Sequence, residues 1–189
     1  MAKVISYQNL LLYVTVAMLR LPLTDLLRRF GVQGPSKCHC CSEPADDEVN
    51  HIFLTGDLAK ALWNRFESVL GDLDMVSTLR HVLLWWWLRK GHNVYLRFVY
   101  RTLPMLICWE LWKARNRGLF DGRKVGWTEV ADQVFQQLCD LLHCNFSEIA
   151  CSFISWDVLH SSLVALKRRV SILPIKWLAP KAGYKLNSN

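Results

Sequence analysis

Apolar residues recur at helical spacing through most of the chain. Leu58, Leu62, Phe66 and Leu70 lie four residues apart, which places them on one face of a helix. The same periodicity predicts helices in four further segments, at residues 7–19, 23–31, 94–117 and 128–143. The chain is therefore predicted to be mainly α-helical.

Capping and turn-forming residues give the expected helix ends. Thr24 or Asp25 can cap the first turn of the second helix, and Gly31 supplies its stop. Thr128 is expected to cap the helix that it opens. Pro104 lies inside the longest helical pattern. Because a mid-helix proline loses a hydrogen bond and clashes one turn back, we expect a kink or a split there.

Three consecutive tryptophans, Trp85, Trp86 and Trp87, lie in an apolar run at residues 82–88. On a helix they point in three directions about 100° apart. We therefore expect neighbours to enclose this segment on several sides.

The end of the chain carries a mixed signal. Residues 151–170 are expected to begin extended and to end helical, whereas the prolines and glycine of residues 171–189 are typical of a strand entry. The predicted fold is a small, mainly helical domain around a cysteine and histidine loop, with a short β-like stub at the C-terminus.

Composition and charge narrow the functional classes. Apolar residues make up 52% of the 189 positions and the net charge is +7, which is a globular rather than a disordered composition. Residues 76–126 hold ten Lys and Arg against two Asp and Glu. This segment suits a nucleic-acid backbone or an anionic membrane surface, or it is a solvated helix face.

The chain has seven cysteines, and three of them fall within four positions. An odd, crowded set argues against a secreted disulfide framework and favours a reducing compartment, such as the nucleus or cytoplasm. The N-terminal run LLLYVTVAML is either a signal-peptide core or a buried amphipathic helix, and it is too short to span a bilayer. We expect no membrane partner and no small-molecule substrate.

Cys38 and Cys41 have the Cys-x2-Cys spacing with which a tight turn directs two thiolates at one zinc ion. His51 offers a third ligand at the edge of an apolar stretch. Water, Cys40 or Asp57 could complete the site, although Cys40 is expected to point elsewhere. The other interpretation is a lapsed site with free thiols.

The order RLPLTDLLRRFGVQGPSKCHCCSEPADDEVNHIFLTGDLAKALW resembles the zinc-binding module downstream of the reverse transcriptase in plant non-LTR retrotransposon polyproteins. The resemblance implies that Cys38, Cys41 and His51 are zinc ligands and that Ala59 and Trp63 belong to the helix behind them. The fourth ligand position falls on Gly56, which has no side chain to coordinate with.

The tail resembles the next part of the same polyproteins. ICWELWKARNRGLFDGRK is similar to their connector, and IKWLAPKAGYKLNSN is similar to the first strand of a ribonuclease H domain. The resemblance implies a metal-binding Asp where this chain has Asn189, so ribonuclease H activity is not expected. The implied division is a zinc-binding module at 1–75, a helical connector packed on it at 76–147, a linker at 148–173 and a truncated first strand at 174–189.

The basic residues of the middle segment are candidates for phosphate contact. We select Arg89, Lys90, Arg97, Arg101, Arg115 and Arg117. A second metal site, built from Cys139, His143, Cys144 and Cys151, is disfavoured because such residues more often pack a helix.

Three hypotheses follow from these signals. The first is a non-catalytic retrotransposon fragment with a degenerate zinc site and sequence-independent binding to RNA or DNA backbone. The second is a protein-interaction or thiol module without metal. A ribonuclease H remains only if the chain is part of a longer protein.

Overall fold

The computed structural model describes residues 21, 23–33, 37–42, 45–66, 78–149 and 154–166, and this part of the chain is mainly helical. The predicted fold class is therefore confirmed. Neither the predicted helix at 7–19 nor the predicted strand at 174–189 lies within the described residues. The elements, in chain order, are α1 (Thr24–Arg29), a π-helical turn (His51–Thr55), α2 (Asp57–Arg65), α3 (Leu79–Leu88), α4 (Val94–Phe120), α5 (Trp127–Asn145) and α6 (Trp156–Ala165).

Helix α4 is the central element, because α5, α3, α2, α6 and the π-helical turn all pack against it. Its buried residues Val99 and Leu103 join Val134 and Leu138 of α5 in one continuous hydrophobic core. The same core takes in Phe53 of the π-helical turn. The core therefore extends across the predicted boundary between residues 75 and 76, and the predicted domain limits stay predictions.

Helix α4 runs for 27 residues with Pro104 inside it. The helix is therefore not split at this proline, and the alternative, a kink, stays a prediction. Leu103, Pro104 and Met105 are all buried. The packing of both halves on the same core outweighs the cost of one mid-helix proline, which is about 3 kcal/mol.

Neighbouring elements do not enclose all three tryptophans of α3. The side chain of Trp86 is fully buried, at 0% exposure, while Trp85 is 43% and Trp87 is 50% exposed. Leu84 and Leu88 are exposed as well. The expectation of neighbours on several sides is wrong, because only the Trp86 side of α3 faces the core.

The predicted caps are only partly correct. Gly31 follows α1 with a φ of 71°, in the left-handed region that favours glycine. Helix α1 is preceded by Leu23 and begins without a side-chain cap, and Gly126 rather than Thr128 precedes α5. Side chains that the sequence analysis did not select cap three other helices, namely Thr78, Asn93 and Ser155.

None of the described helices combines the length and the apolar character that crossing a bilayer requires.

Candidate metal centre

A short hairpin-like loop places the first two cysteines. Lys37 and Asp46 form an antiparallel bridge, and the Cys38 N–H donates to the Ala45 carbonyl at 2.7 Å. This pairing closes the loop that contains Cys38 and Cys41, and both side chains are buried. The sequence interval between the two cysteines is therefore a turn, as the Cys-x2-Cys spacing predicts.

The π-helical turn places the histidine. The Gly56 N–H donates to the His51 carbonyl at 2.8 Å, which is the i to i+5 bond of a π-helix. This bond brings residue 56 beside residue 51. Trp63 of α2 stabilises the turn, because its indole Nε1–H donates to the Phe53 carbonyl at 2.7 Å.

The ligand atoms of Cys38, Cys41 and His51 lie within 4.8 Å of one another. Two thiolates on one tetrahedral zinc are about 3.8 Å apart, so small movements would bring these atoms to coordination distance. The Nε2 atom of His51 is buried and has no hydrogen-bond partner among the described residues. An unpartnered imidazole nitrogen beside two buried sulfurs fits zinc, and these residues would hold it.

Gly56 lies at the edge of this cluster. A Cβ atom on Gly56 would lie 2.8 Å from the Cys41 Sγ and 3.2 Å from the His51 Nε2. The position that the resemblance assigns to a fourth ligand is therefore next to the other ligands in space. Glycine contributes no donor atom there.

Cys40 does not point away from the pair, contrary to expectation. Its Sγ lies 3.1 Å from the Sγ of Cys38, and the residue is half-buried against the core. The other alternative, Asp57, is exposed and accepts a hydrogen bond from the Ser42 hydroxyl at 2.9 Å.

The three thiols differ in acidity. Hydrogen bonds from Cys38, Cys40 and the Leu58 N–H hold the pKa of Cys41 well below its ordinary value, and nearby His51 lowers this pKa further. The Leu58 N–H lies in the first turn of α2, where free N–H groups favour a thiolate. The hydrogen bond with Cys38, together with burial, raises the pKa of Cys40.

Helix α4 and the residues after it anchor the loop through contacts that no sequence pattern indicates. Asp47 and Arg115 form a buried ion pair with Nε 3.1 Å from Oδ1. A Cβ on Gly118 would lie 3.0 Å from the His39 carbonyl oxygen, so a side chain here would require the backbone at His39 to move away slightly. The Lys124 ammonium donates to the Cys41 carbonyl at 3.1 Å.

The predicted phosphate-contacting residues separate into two groups. Arg115 is 4% exposed and paired with Asp47, so its guanidinium is occupied within the protein and its assignment to phosphate contact stays a prediction. Arg117 is half-buried, donates to Gln133 and lies 3.7 Å from Glu129. Exposed positions are occupied by Lys90, Arg97 and Arg101, whereas Arg89 is half-buried.

The disfavoured second cluster does not form a group of donors in the described part of the chain. Cys139 is buried while His143 and Cys144 are exposed, and Cys151 lies outside the described residues. Within the described residues, Cys38, Cys41 and His51 are the one group of three donors with metal-binding proximity.

Comparison with known proteins bears on this site. Neither a curated protein nor a solved structure matches the chain. Residues 3–63 match the family model described as zinc-binding in reverse transcriptase. The matched segment contains Cys38, Cys41, His51 and Gly56 and ends at Trp63 of α2. The first third of the chain is therefore similar to the zinc-binding domain associated with reverse transcriptases.

Proposed function

We propose that this chain is a non-catalytic helical module, stabilised by zinc, that holds single-stranded nucleic acid by its backbone and bases. The retrotransposon origin and the resemblance of residues 174–189 to a ribonuclease H strand belong to this proposal. In such a polyprotein the module would keep a template strand near the enzymatic domains.

Zinc would have a structural role. Cys38 and Cys41 come from the loop closed by the Lys37–Asp46 bridge, and His51 comes from the π-helical turn. A metal bound by these three residues would join the cysteine loop to the π-helical turn, two segments that otherwise share few backbone hydrogen bonds.

The observation that carries the nucleic-acid proposal is a set of cations and indoles on α3, the two residues that follow it and the first half of α4. We define the α3–α4 surface as Trp85, Trp87, Arg89, Lys90, Arg97 and Arg101. Lys90, Arg97 and Arg101 are exposed. Within the described part of the chain none of these three has a carboxylate partner. Cations without acidic partners attract phosphates.

The exposed indoles favour a single strand. Arg101 lies over the Trp87 ring at 5.5 Å from its centroid, and Arg89 lies over the Trp85 ring at 5.1 Å. Half-exposed indoles beside guanidinium groups suit stacking with unpaired bases, worth about 1–3 kcal/mol for each base. In a duplex only the base edges are accessible, in the grooves, so the faces of the bases are not free to stack on these indoles.

The test is fluorescence anisotropy with a labelled single-stranded oligonucleotide across a salt series. We expect binding without sequence preference and a steep loss of affinity with salt, because counterions are released from the strand. Arg97→Ala/Arg101→Ala should weaken binding and lower the log–log salt slope by about 1.4, at ~0.7 for each lost phosphate contact.

The matched control is Arg28→Ala/Arg29→Ala, which removes the same charge from exposed positions on α1. If both double variants weaken binding equally, the effect is one of net charge and the α3–α4 surface is not the site. Affinity that does not change with salt contradicts the proposal. Equal affinity for duplex contradicts the single-strand preference.

The thiol hypothesis also has a supporting observation. Three sulfur atoms crowd the same loop, and two of them are only 3.1 Å apart. This alternative requires that alkylation of Cys38, Cys40 and Cys41 be rapid and unaffected by added zinc. Protection by zinc would exclude it.

A further inference from the structure

We propose that Cys40 is a zinc ligand, so that Cys38, Cys40, Cys41 and His51 complete the coordination that the glycine at position 56 leaves open. This inference rests on the proposed zinc binding. It assigns the site three thiolates and one imidazole, all from residues 38–51.

The sulfur positions support this assignment. The Sγ atoms of Cys38 and Cys40 lie 3.1 Å apart, which is closer than the spacing of about 3.8 Å for two thiolates on one tetrahedral zinc. The donor atoms that lie within 4.8 Å of one another are those of Cys38, Cys41 and His51. Cys40 would join this group through its contact with Cys38, by a movement of its side chain towards the metal.

Gly56 explains why a donor from within the loop is needed. A Cβ at this position would lie 2.8 Å from the Cys41 Sγ, so any side chain at residue 56 would project into the cluster. Without that side chain, the fourth donor must come from another residue or from water. Asp57 is exposed and accepts a hydrogen bond from the Ser42 hydroxyl. Cys40 is the better candidate, because its sulfur is already in contact with the sulfur of Cys38.

The charges on the site are compatible with three thiolates. Binding of Zn²⁺ by three thiolates would release to solvent the protons that the thiols still carry, and the filled site would have one net negative charge. The Lys124 ammonium lies close by, at 3.1 Å from the Cys41 carbonyl oxygen. Leu58 lies in the first turn of α2, where N–H groups favour a negative site, as the Lys124 ammonium does.

The test uses the full chain loaded with Co²⁺, whose thiolate-to-metal absorption reports the number of bound sulfurs, and Zn²⁺ affinity measured by chelator competition. Cys40→Ser should lower that absorption by about a third, because one of three thiolates is lost. It should also weaken zinc binding at least as much as loss of an outer-shell partner does, about 10–100-fold. The matched control is Cys144→Ser, because Cys144 is an exposed free cysteine on α5. This control should leave both quantities unchanged.

A second variant places a sulfur on the other side of the site. Cys40→Ser/Gly56→Cys should regain the absorption of the wild-type protein. A further measurement uses the zinc-loaded wild-type protein and so does not depend on the folding of a variant. Alkylation should spare Cys38, Cys40 and Cys41, while Cys144 should react. Rapid alkylation of Cys40 in the zinc-loaded protein would overturn the inference.

The outcomes separate the inference from the proposal beneath it. One metal per wild-type chain, with Cys40→Ser equal to wild type in absorption and affinity, overturns the role of Cys40 and leaves the zinc module standing. No metal on the wild-type chain overturns both.

Discussion

At the scale of single residues, the sequence predicts the candidate ligands but not the contacts that hold the ligand loop in place. Cys38 and Cys41 are recognisable because two ligands on one short turn have the Cys-x2-Cys spacing in the sequence. Asp47 and Gly118 have no such mark, because the contacts with Arg115 and with the His39 backbone join positions far apart in the chain. Long-range packing decides these contacts, and a single sequence does not reveal it.

Gly56→Ala should destabilise the protein. Its Cβ would lie 2.7 Å from the His51 carbonyl oxygen and 2.8 Å from the Cys41 Sγ, and overpacking of this kind costs about 1–3 kcal/mol. Chemical denaturation of the metal-free protein measures the change. Gly56→Cys is the comparison, because its thiol adds a donor at the site and zinc should therefore stabilise that variant more than it stabilises Gly56→Ala. A Gly56→Ala protein as stable as wild type would show that the loop yields easily.

Arg115→Met should be among the most damaging single changes. It leaves the carboxylate of Asp47, which is 1% exposed, without its guanidinium partner, and breaking a buried ion pair from one side costs about 3–5 kcal/mol. Asp47→Asn/Arg115→Met removes both charges and should recover much of that loss. If the double variant is less stable than Arg115→Met, the ion pair is not the cause.

At the scale of elements, periodicity located the helices but not their orientation. The apolar run at residues 82–88 lies within α3, yet it did not show that Trp86 alone of the three tryptophans enters the core. Similarly, the rule against mid-helix proline is a local one, and the packing of α4 overrides it at Pro104. Burial depends on how the helices pack together. A run of similar apolar residues therefore does not show which of them will be buried.

The two neighbouring tryptophans of α3 should therefore behave differently. Trp86→Ala removes a fully buried indole and should cost about 3–5 kcal/mol of unfolding free energy. Trp87→Ala removes a half-exposed one and should change stability by less than about 0.5 kcal/mol. Denaturant titrations measure both values. The Trp87 variant should also bind the single-stranded oligonucleotide more weakly, and unchanged binding would remove Trp87 from the α3–α4 surface.

Helix α6 should make stability sensitive to acid through His160. Burial and the positive charge of Arg89 lower the pKa of His160, while Asp157 acts in the opposite direction. Because the folded pKa lies below the ordinary value of 6.5, the unfolded chain takes up the proton first. Stability from this group is present above pH 6.5 and is lost as the pH falls towards the folded pKa.

His160→Gln tests this sensitivity. The melting temperature of wild type should fall more between pH 8 and pH 5 than that of the variant. The ring of His160 stacks on Trp156 at 5.4 Å, so the variant starts from a lower stability at pH 8, and only the change with pH is informative. Equal decreases in the two proteins would exclude His160 as the acid-sensitive group.

At the scale of the whole molecule, one core connects the metal centre with the rest of the described chain. Removal of zinc by a chelator should loosen residues 37–56 first, because the metal would join the cysteine loop to the π-helical turn. Hydrogen exchange in this segment should become faster, whereas α5 should remain protected by the buried face that includes Val134 and Leu138. Uniform acceleration across α5 would show instead that the metal supports the entire core.

Helix α4 also sets a distance. Arg101 lies on the α3–α4 surface and Arg115 lies beside the cysteine loop, and 14 residues of helix separate them by about 21 Å. Pro104 is the one helical position between them that cannot donate a backbone hydrogen bond. A strand held at Arg97 and Arg101 would therefore lie about two to three nanometres along the helix from Arg115, the residue beside the cysteine loop. Paramagnetic Co²⁺ in place of zinc would then act as a fixed origin from which to map the path of the bound strand.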